Sequence, residues 1–289
     1  MIDRKVLTVV LISILSAGIS GVVARVAYSS GKINPLSYSM NVLLLTLVFF
    51  AFFTLLRKDA ISNFSKSTWI HLGILGILGT TIGMGLYYIG LNYTTAINTS
   101  FIMRLQVPAT ALFAFLFLGD KLTKKQILAT ISMFIGAYLI MFGFSIMNPN
   151  FGDLIILASA VIFGLTNVYY KKTLAKKVPV FTVLFYRSVF GVSILVLLIG
   201  VVLGEQTLQA LFTIPHLVIL QALVYAVYMY GLYYGIKEIG PGPTTIFYLT
   251  VPLITLILAF IVLGEFLVVS QGFGAALVLI GSYFMIKNK

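Results

Sequence analysis

Residues 118–126 read LGDKLTKKQ, and residues 263–271 repeat the pattern as LGEFLVVSQ. The two copies lie 145 positions apart, and the same offset continues from Leu118 through Tyr138. The chain therefore contains an internal repeat in which the second half is related to the first. Further matches occur in the same order: GLYY at 85–88 with GLYY at 231–234, Pro108 with Pro252, and Pro35 with Pro179.

Composition excludes a soluble protein. The chain has 289 residues, of which 60% are hydrophobic and only 9% are charged. Soluble domains have roughly 45–50% apolar and 25% charged residues. Because one transmembrane helix needs about 20 mainly apolar residues, a chain of this length can cross a bilayer many times.

Apolar runs between charged or Gly/Pro breaks divide the sequence into ten predicted spans. They lie at residues 7–28, 35–56, 69–91, 96–118, 127–144, 152–170, 180–203, 215–236, 243–263 and 267–286. Cys is absent, which excludes disulfides, thiol catalysis and Cys-ligated metals. We predict an all-α integral membrane protein.

Basic residues indicate how the spans are oriented. If the N-terminus is inside, fifteen of the nineteen Lys and Arg fall in the inner loops and tails, and only Lys32 falls in an outer loop. The remaining three, Arg25, Arg104 and Arg187, lie within spans. The positive-inside rule therefore predicts a multi-pass protein of the cell (plasma) membrane with both termini cytoplasmic. The net charge of +12 is then a consequence of topology, and we expect no nucleic-acid partner.

The repeat and the span count together predict inverted halves. Each copy has five spans, so an odd number forces the two copies into opposite orientations. The loop after Asp120 is KLTKK, whereas the loop after Glu265 is FLVVS, without any Lys. We place the first five-helix repeat at residues 1–147 and the second at residues 148–289, within one membrane domain.

A Pro followed about eleven residues later by Leu-Gly-acid, then by Gln and a Gly-rich helix, occurs in both halves. In this doubled pattern the sequence resembles the drug/metabolite transporter superfamily, EamA-type. The resemblance covers nearly the whole chain. It implies a central cavity lined mainly by spans 1, 3, 4, 6, 8 and 9, and transport by alternating access.

Arg104 is the leading candidate for a functional residue. It lies about 8 residues into the fourth span, or ~12 Å at 1.5 Å per residue, which is too deep for easy snorkelling. An Arg at the centre of a transmembrane helix costs about 2.5–3.5 kcal/mol on the insertion scale, so Arg104 should face the protein interior. The alternative is an Arg bonded to helix carbonyls or a Tyr for packing alone.

Two prolines are predicted to kink the helices near Arg104. Pro108 removes the hydrogen bond to the carbonyl of Arg104, and Pro252 removes the one to the carbonyl of Tyr248. We expect a free backbone acceptor at each position, near mid-membrane, where repeat-built transporters bind substrate. The alternative is that these kinks only shape helix packing.

Other polar side chains are weaker candidates. For Arg25, snorkelling to the near interface is the preferred interpretation, and Arg187 is interpreted as a structural anchor. We place the seven Asp and Glu in cytoplasmic loops or near the outer interface, none deep in a span. The remaining predicted substrate-binding residues are Asn98, Gln106, Tyr88, Asn167, Tyr228, Tyr234 and Tyr248.

Transport of a small polar metabolite explains these features best. Arg104 favours a substrate with a carboxylate or phosphate, such as an amino acid or organic acid. Export of amphipathic amines or drugs is the alternative, although it would need a deep acid. A receptor or scaffold is chemically possible. An enzyme would need paired carboxylates, a His near mid-membrane or a nucleophile with a base, and none of the spans supplies such a set, so we expect no enzyme. We expect no metal and no cofactor.

Overall fold

The computed structural model describes residues 3–29, 31, 33–57, 64–119, 121, 123–143, 150–174 and 178–287. Within these ranges the chain is helical and forms ten long helices. They are α1 (Arg4–Ser29), α2 (Pro35–Leu56), α3 (Lys66–Tyr93), α4 (Ala96–Leu118), α5 (Lys124–Phe142), α6 (Phe151–Leu174), α7 (Val180–Leu203), α8 (Pro215–Ile239), α9 (Pro241–Tyr248, continued as Val251–Leu263) and α10 (Val269–Lys287).

These helices confirm the predicted membrane fold. Of the described helices, nine are long and apolar enough to cross a bilayer, and α10 contains a shorter apolar segment, Val269–Met285. Many large apolar side chains of these helices point outward, among them Val201 at 87% exposure and Ile261 at 70%. Such outward faces fit contact with lipid and not with water. The predicted boundary between the repeats, 147/148, lies outside the described residues.

The repeated Leu-Gly-acid motif ends a helix in each half. Gly119 follows α4 with φ of 71°, and Gly264 follows α9 with φ of 67°. This left-handed conformation is accessible to Gly without the steric cost of a Cβ, and it is the usual stop signal of a helix. The repeat in sequence is therefore a repeat in local geometry.

Both helices in which a proline is predicted to cause a kink are irregular just before that proline. In α4, Met103–Leu105 forms a 3₁₀ turn that contains Arg104 and precedes Pro108. In α9, the helix is interrupted at Leu249 and Thr250, directly before Val251–Leu263 with its Pro252. A third irregularity is the π-helical segment Leu75–Gly83 in the middle of α3.

Small residues let the helices approach closely. On α5 and α10, Gly136 faces Gly274: a Cβ on Gly274 would lie 2.4 Å from the carbonyl oxygen of Gly136. On α1 and α8, a Cβ on Gly231 would lie 2.2 Å from Cβ of Ser13. Contacts this close require Gly, as in other membrane helix pairs.

The α5–α10 contact gives a test of this packing. We expect Gly274→Ala to lower the free energy of unfolding by about 1–3 kcal/mol, because the new methyl group would overlap the Gly136 backbone. Gly272→Ala is the matched control, since a Cβ there meets nothing within 4 Å. The control should be neutral or stabilise by up to about 1 kcal/mol through helix propensity. Thermal unfolding in detergent would contradict the contact if both variants behaved alike.

Candidate functional site

A cavity of two lobes lies between the two repeats. The small lobe has a volume of about 80 Å³ and the large lobe about 220 Å³. Arg104, Gln106 and Tyr228 line both lobes, so the lobes meet at these three side chains. We call the side of the bundle where α1 begins and α10 ends the termini face, and the other side the opposite face.

Arg104 lies at the junction of the lobes and is buried, with 7% exposure. Its Nη1 donates a hydrogen bond to the carbonyl oxygen of Tyr248, at 2.9 Å. Its Nε has no hydrogen-bond partner among the described residues. The prediction that this Arg faces the protein interior is therefore confirmed, and part of its bonding capacity is unused by those residues.

The bond to Tyr248 connects the two predicted kinks. Pro252 has no N–H, so the Tyr248 carbonyl lacks its helical donor. The structure shows that this carbonyl accepts from Arg104 of the other repeat. Tyr248 is further held through its hydroxyl, which shares a short hydrogen bond with the hydroxyl of Ser13 on α1. The Tyr248 carbonyl is therefore not the free acceptor that the sequence predicted.

The large lobe extends to the termini face. Leu118 and Lys171, which line it, lie close to the ends of α4 and α6 on that face, and Met285 lies near the end of α10. Polar side chains line its wall: Asn167 Nδ2 donates to the hydroxyl of Thr110 at 3.1 Å. No Asp or Glu is present among the described residues that line either lobe. Arg104 and Lys171 do line the cavity, so the charge of its described lining is positive.

The small lobe extends from Arg104 toward the opposite face and has a mainly apolar wall. Its lining includes Tyr87, Tyr225, Phe163 and Met84, together with the hydroxyl of Ser20. The lobe ends at Ala96, the first residue of α4. An anion bound at Arg104 could therefore place an apolar group in this lobe.

Polar contacts hold the helix ends together at the opposite face beyond Ala96, which is itself buried with 1% exposure. The Glu265 carboxylate accepts from the backbone N–H groups of Ala96, at 3.3 Å, and Ile97, at 3.2 Å. Glu265 Oε1 also lies 3.7 Å from Nε of Arg25. Arg25 Nη1 donates to the carbonyl of Asn92 at 2.9 Å. Arg25 lies near the end of α1 with a side chain 31% exposed, and its guanidinium also bonds within the protein, so the interpretation of Arg25 as a snorkelling residue stays a prediction.

Asn98 belongs to these contacts and not to the cavity lining. Its Nδ2 donates to Asp153 Oδ2 at 3.2 Å, and its Oδ1 accepts from Gln271 Nε2 at 3.0 Å. Asp153 also accepts a short hydrogen bond from the hydroxyl of Thr94. Asp153 lies in the first turn of α6, near the membrane edge as predicted, but it is buried with 1% exposure.

Two of the predicted tyrosines do not line the cavity. Tyr88 is fully buried, and its hydroxyl accepts from Gln221 Nε2 at 3.1 Å. Tyr234 stacks on Tyr230 at a centroid distance of 5.6 Å, outside both lobes. Of the eight predicted binding residues, five line the cavity: Arg104, Gln106, Asn167, Tyr228 and Tyr248.

Sequence reasoning missed several lining residues. Tyr87 lines the small lobe in place of its neighbour Tyr88, and successive residues of a helix point about 100° apart. Phe163 and Tyr225 also line it, although only their helical spacing could have indicated this. Arg187 lines neither lobe. It is buried on α7 and donates from Nε to the hydroxyl of Thr80 at 3.2 Å, as a structural anchor would.

Comparison with known proteins gives consistent matches. A family model described as EamA-like transporter family matches residues 4–142 and again residues 150–287. An uncharacterized transporter of Bacillus subtilis, YyaM, is 34% identical over 236 residues, which cover 78% of this chain and 73% of that protein. An uncharacterized transporter of Methanothermobacter thermautotrophicus is 27% identical over 242 residues, 80% of this chain and 68% of that protein.

The fold is also found among solved structures. A protein known from its crystal structure superposes with a TM-score of 0.63 at 16% sequence identity. The alignment covers 96% of this chain and 98% of that chain. At this identity the likeness concerns the fold alone.

Access to the large lobe can be tested by cysteine labelling, since the chain has no natural Cys. We expect Asn167→Cys to react with a small water-soluble thiol reagent added at the termini face, because Asn167 lines the large lobe. Thr173→Cys is the matched control: it lies on the same helix, nearer that face, but is fully buried. Faster reaction at position 173 than at 167 would contradict the described cavity.

Proposed function

Since the chain belongs to the EamA-like transporter family, we propose that it carries a small metabolite with a carboxylate or phosphate group, such as an amino acid or organic acid, by alternating access. The family establishes a membrane transporter, and this substrate class and mechanism go beyond it. They rest on the geometry of the cavity.

A single observation supports the substrate class most strongly. Arg104 lies buried at the junction of the two lobes, with no acid among the described lining residues. A charged side chain at this depth is costly unless it has a function or a partner. Its guanidinium is planar and presents several donors, which suits a carboxylate or phosphate. We therefore assign the anionic group of the substrate to Arg104.

The remaining lining residues define how the substrate would enter and lie. Lys171 at the termini end of the large lobe adds a second positive charge, which favours entry of anions. Gln106 and Tyr228 flank Arg104 and offer hydrogen-bonding groups to the polar part of the substrate. The apolar side of the substrate would then occupy the small lobe beside Phe163.

The same lining argues against the amine-export alternative. A cationic amine requires a carboxylate or an aromatic cage for recognition, and in this cavity it would lie beside Arg104 and Lys171. Repulsion from these charges disfavours it. A receptor or scaffold function leaves the cavity itself unexplained, and no described feature favours one.

Alternating access is supported by the inverted halves and by the different contacts at the two faces. In this structure the large lobe reaches the termini face, while bonds at Ala96 and Asn98 hold the first turn of α4 at the opposite face. Rocking of one repeat against the other would close the cavity at the termini face and open it at the opposite face. Arg104 bonds across the repeats to Tyr248, so it lies where the halves would move.

The anion site is tested by substitution of Arg104. We expect Arg104→Lys to fold but to weaken binding at least about tenfold, since losing charge-assisted hydrogen bonds costs about 1.5–3 kcal/mol. Candidate ligands are found by thermal stabilisation of the purified protein, which gains about 2.7 kcal/mol at a hundred times the Kd. Uptake into liposomes then measures transport.

Tyr234→Phe serves as the control, because Tyr234 lies outside the cavity, and it should leave affinity unchanged. Normal transport with unchanged apparent affinity in Arg104→Ala would show that this Arg is structural and would refute the assignment.

We also propose that the protein lies in the plasma membrane with the termini face in the cytoplasm, as the distribution of Lys and Arg predicts. Lys124 at the start of α5 and Val268 before α10 lie on different faces, and both are exposed. An impermeant maleimide added to intact cells should therefore label Val268→Cys and spare Lys124→Cys until the cells are permeabilised. The reverse pattern would place the termini outside.

A further inference from the structure

The Glu and Gln of the second-half motif LGEFLVVSQ do not line the cavity, yet both reach the first turn of α4. Glu265 accepts from the N–H groups of Ala96 and Ile97, and Gln271 donates to Asn98. These contacts join the connection between α9 and α10, through Glu265, and the first turn of α10, through Gln271, to a helix of the other repeat. The motif therefore connects the two halves.

The first turn of α4 is held from a second side as well. Asp153 of α6 accepts from Nδ2 of Asn98, at 3.2 Å and 3.4 Å from its two oxygens, and from the hydroxyl of Thr94. We call the contacts of Glu265, Gln271 and Asp153 with residues 94–98 the clasp. Arg25 of α1 completes it by its ion pair with Glu265.

Glu265 is well suited to hold this helix end. The first N–H groups of a helix have no partner within the helix, and the helix dipole is positive there. A carboxylate at this position therefore makes charge-assisted hydrogen bonds. The Glu265 side chain is 13% exposed, so water competes weakly for these donors.

The first-half motif does not make the same contacts. Gln126, the counterpart of Gln271, accepts with Oε1 from the backbone N–H of Thr123 in a capping box that starts α5. It also lines the large lobe. Among the described residues, the motif therefore bridges the repeats only at the opposite face. Asp120 lies outside the described residues.

The clasp is linked to the anion site through α4 itself. Arg104 is eight residues beyond Ala96, about 12 Å along the helix. The small lobe fills this distance, since Ala96, Ser100 and Arg104 all line it. The clasp therefore lies at the end of the small lobe that is away from Arg104.

We propose that Glu265 is a positioning residue of the transport cycle: it holds the first turn of α4 closed against the other repeat, and its release exposes Arg104 to the opposite face. The inference rests on the proposed function, because it assigns Glu265 a role through Arg104. With this role for Glu265, the Leu-Gly-acid motif of the second half does more than end a helix.

The test measures accessibility and needs no substrate. A single Ser100→Cys reports on the small lobe, since Ser100 lines it and is 9% exposed. In membrane vesicles we expect Glu265→Gln, which keeps the shape but removes the charge, to raise the labelling rate of this Cys from the opposite face at least tenfold. Labelling of Asn167→Cys from the termini face should fall in the same background, because opening one face closes the other.

Two further variants distinguish specific opening of the opposite face from a general loss of helix packing. Glu238→Gln removes an exposed acid at the end of α8 and should change neither rate. Gln271→Ala removes the bond to Asn98 together with the bond that Gln271 Oε1 accepts from the backbone N–H of Val268, at 3.0 Å. It leaves Glu265 in place and should shift both rates in the same directions by less, and it keeps the test available should Glu265→Gln fail to fold. Unchanged labelling at position 100 in both variants, or faster labelling at both reporters, would overturn the clasp.

Transport and labelling together distinguish an error in the proposed anion site from an error in the clasp. If Arg104→Ala transported normally while Glu265→Gln still exchanged the two labelling rates, the proposed substrate site would be wrong and the clasp would stand. If the rates did not respond while Arg104→Lys lost affinity, the clasp alone would be wrong.

Discussion

The structure depends on one hydrogen bond between the repeats, from the Arg104 guanidinium to the backbone carbonyl of Tyr248. In a bilayer an unpaired carbonyl and an unpaired guanidinium are both costly, because no water is present to bond them. Pro252 creates the first and the depth of Arg104 creates the second. Nη1 of Arg104 satisfies the carbonyl, while Nε has no partner among the described residues, and this pairing joins α4 to α9.

Irregular helices are tolerated in a membrane only where they face protein or a cavity. The 3₁₀ turn at Met103–Leu105, the break at Leu249 and the π-helical segment Leu75–Gly83 follow this rule, since residues within or beside each of them are buried. The 3₁₀ turn and the break at Leu249 both lie beside the cavity, since Arg104 and Tyr248 line it. The features that weaken regular helix bonding are therefore the same ones that make room for a substrate and supply polar groups to it.

The two faces of the molecule are held by different means. At the opposite face, carboxylates bond to the first turn of α4, where the helix dipole favours negative charge. At the termini face, the large lobe is lined by residues near the ends of α4 and α6, among them Leu118 and Lys171. Arg104 and Lys171 thus lie along the path of the proposed anion, while the buried Asp153 and the half-buried Glu265 bond at the opposite face and line neither lobe.

The sequence by itself determined the ten spans, their inverted arrangement and the inward direction of Arg104. These depend on hydropathy, on the parity of five helices and on the cost of a charge in lipid, which are all properties of single segments. Only the tertiary structure decided that Tyr87 and not Tyr88 lines the cavity, that Asn98 belongs to the clasp while Asn167 lines the large lobe, and that Arg25 pairs with Glu265. The rotation of each helix about its own axis is set by the helices packed against it, and successive side chains point about 100° apart, so a small rotation exchanges a lining residue for a buried one.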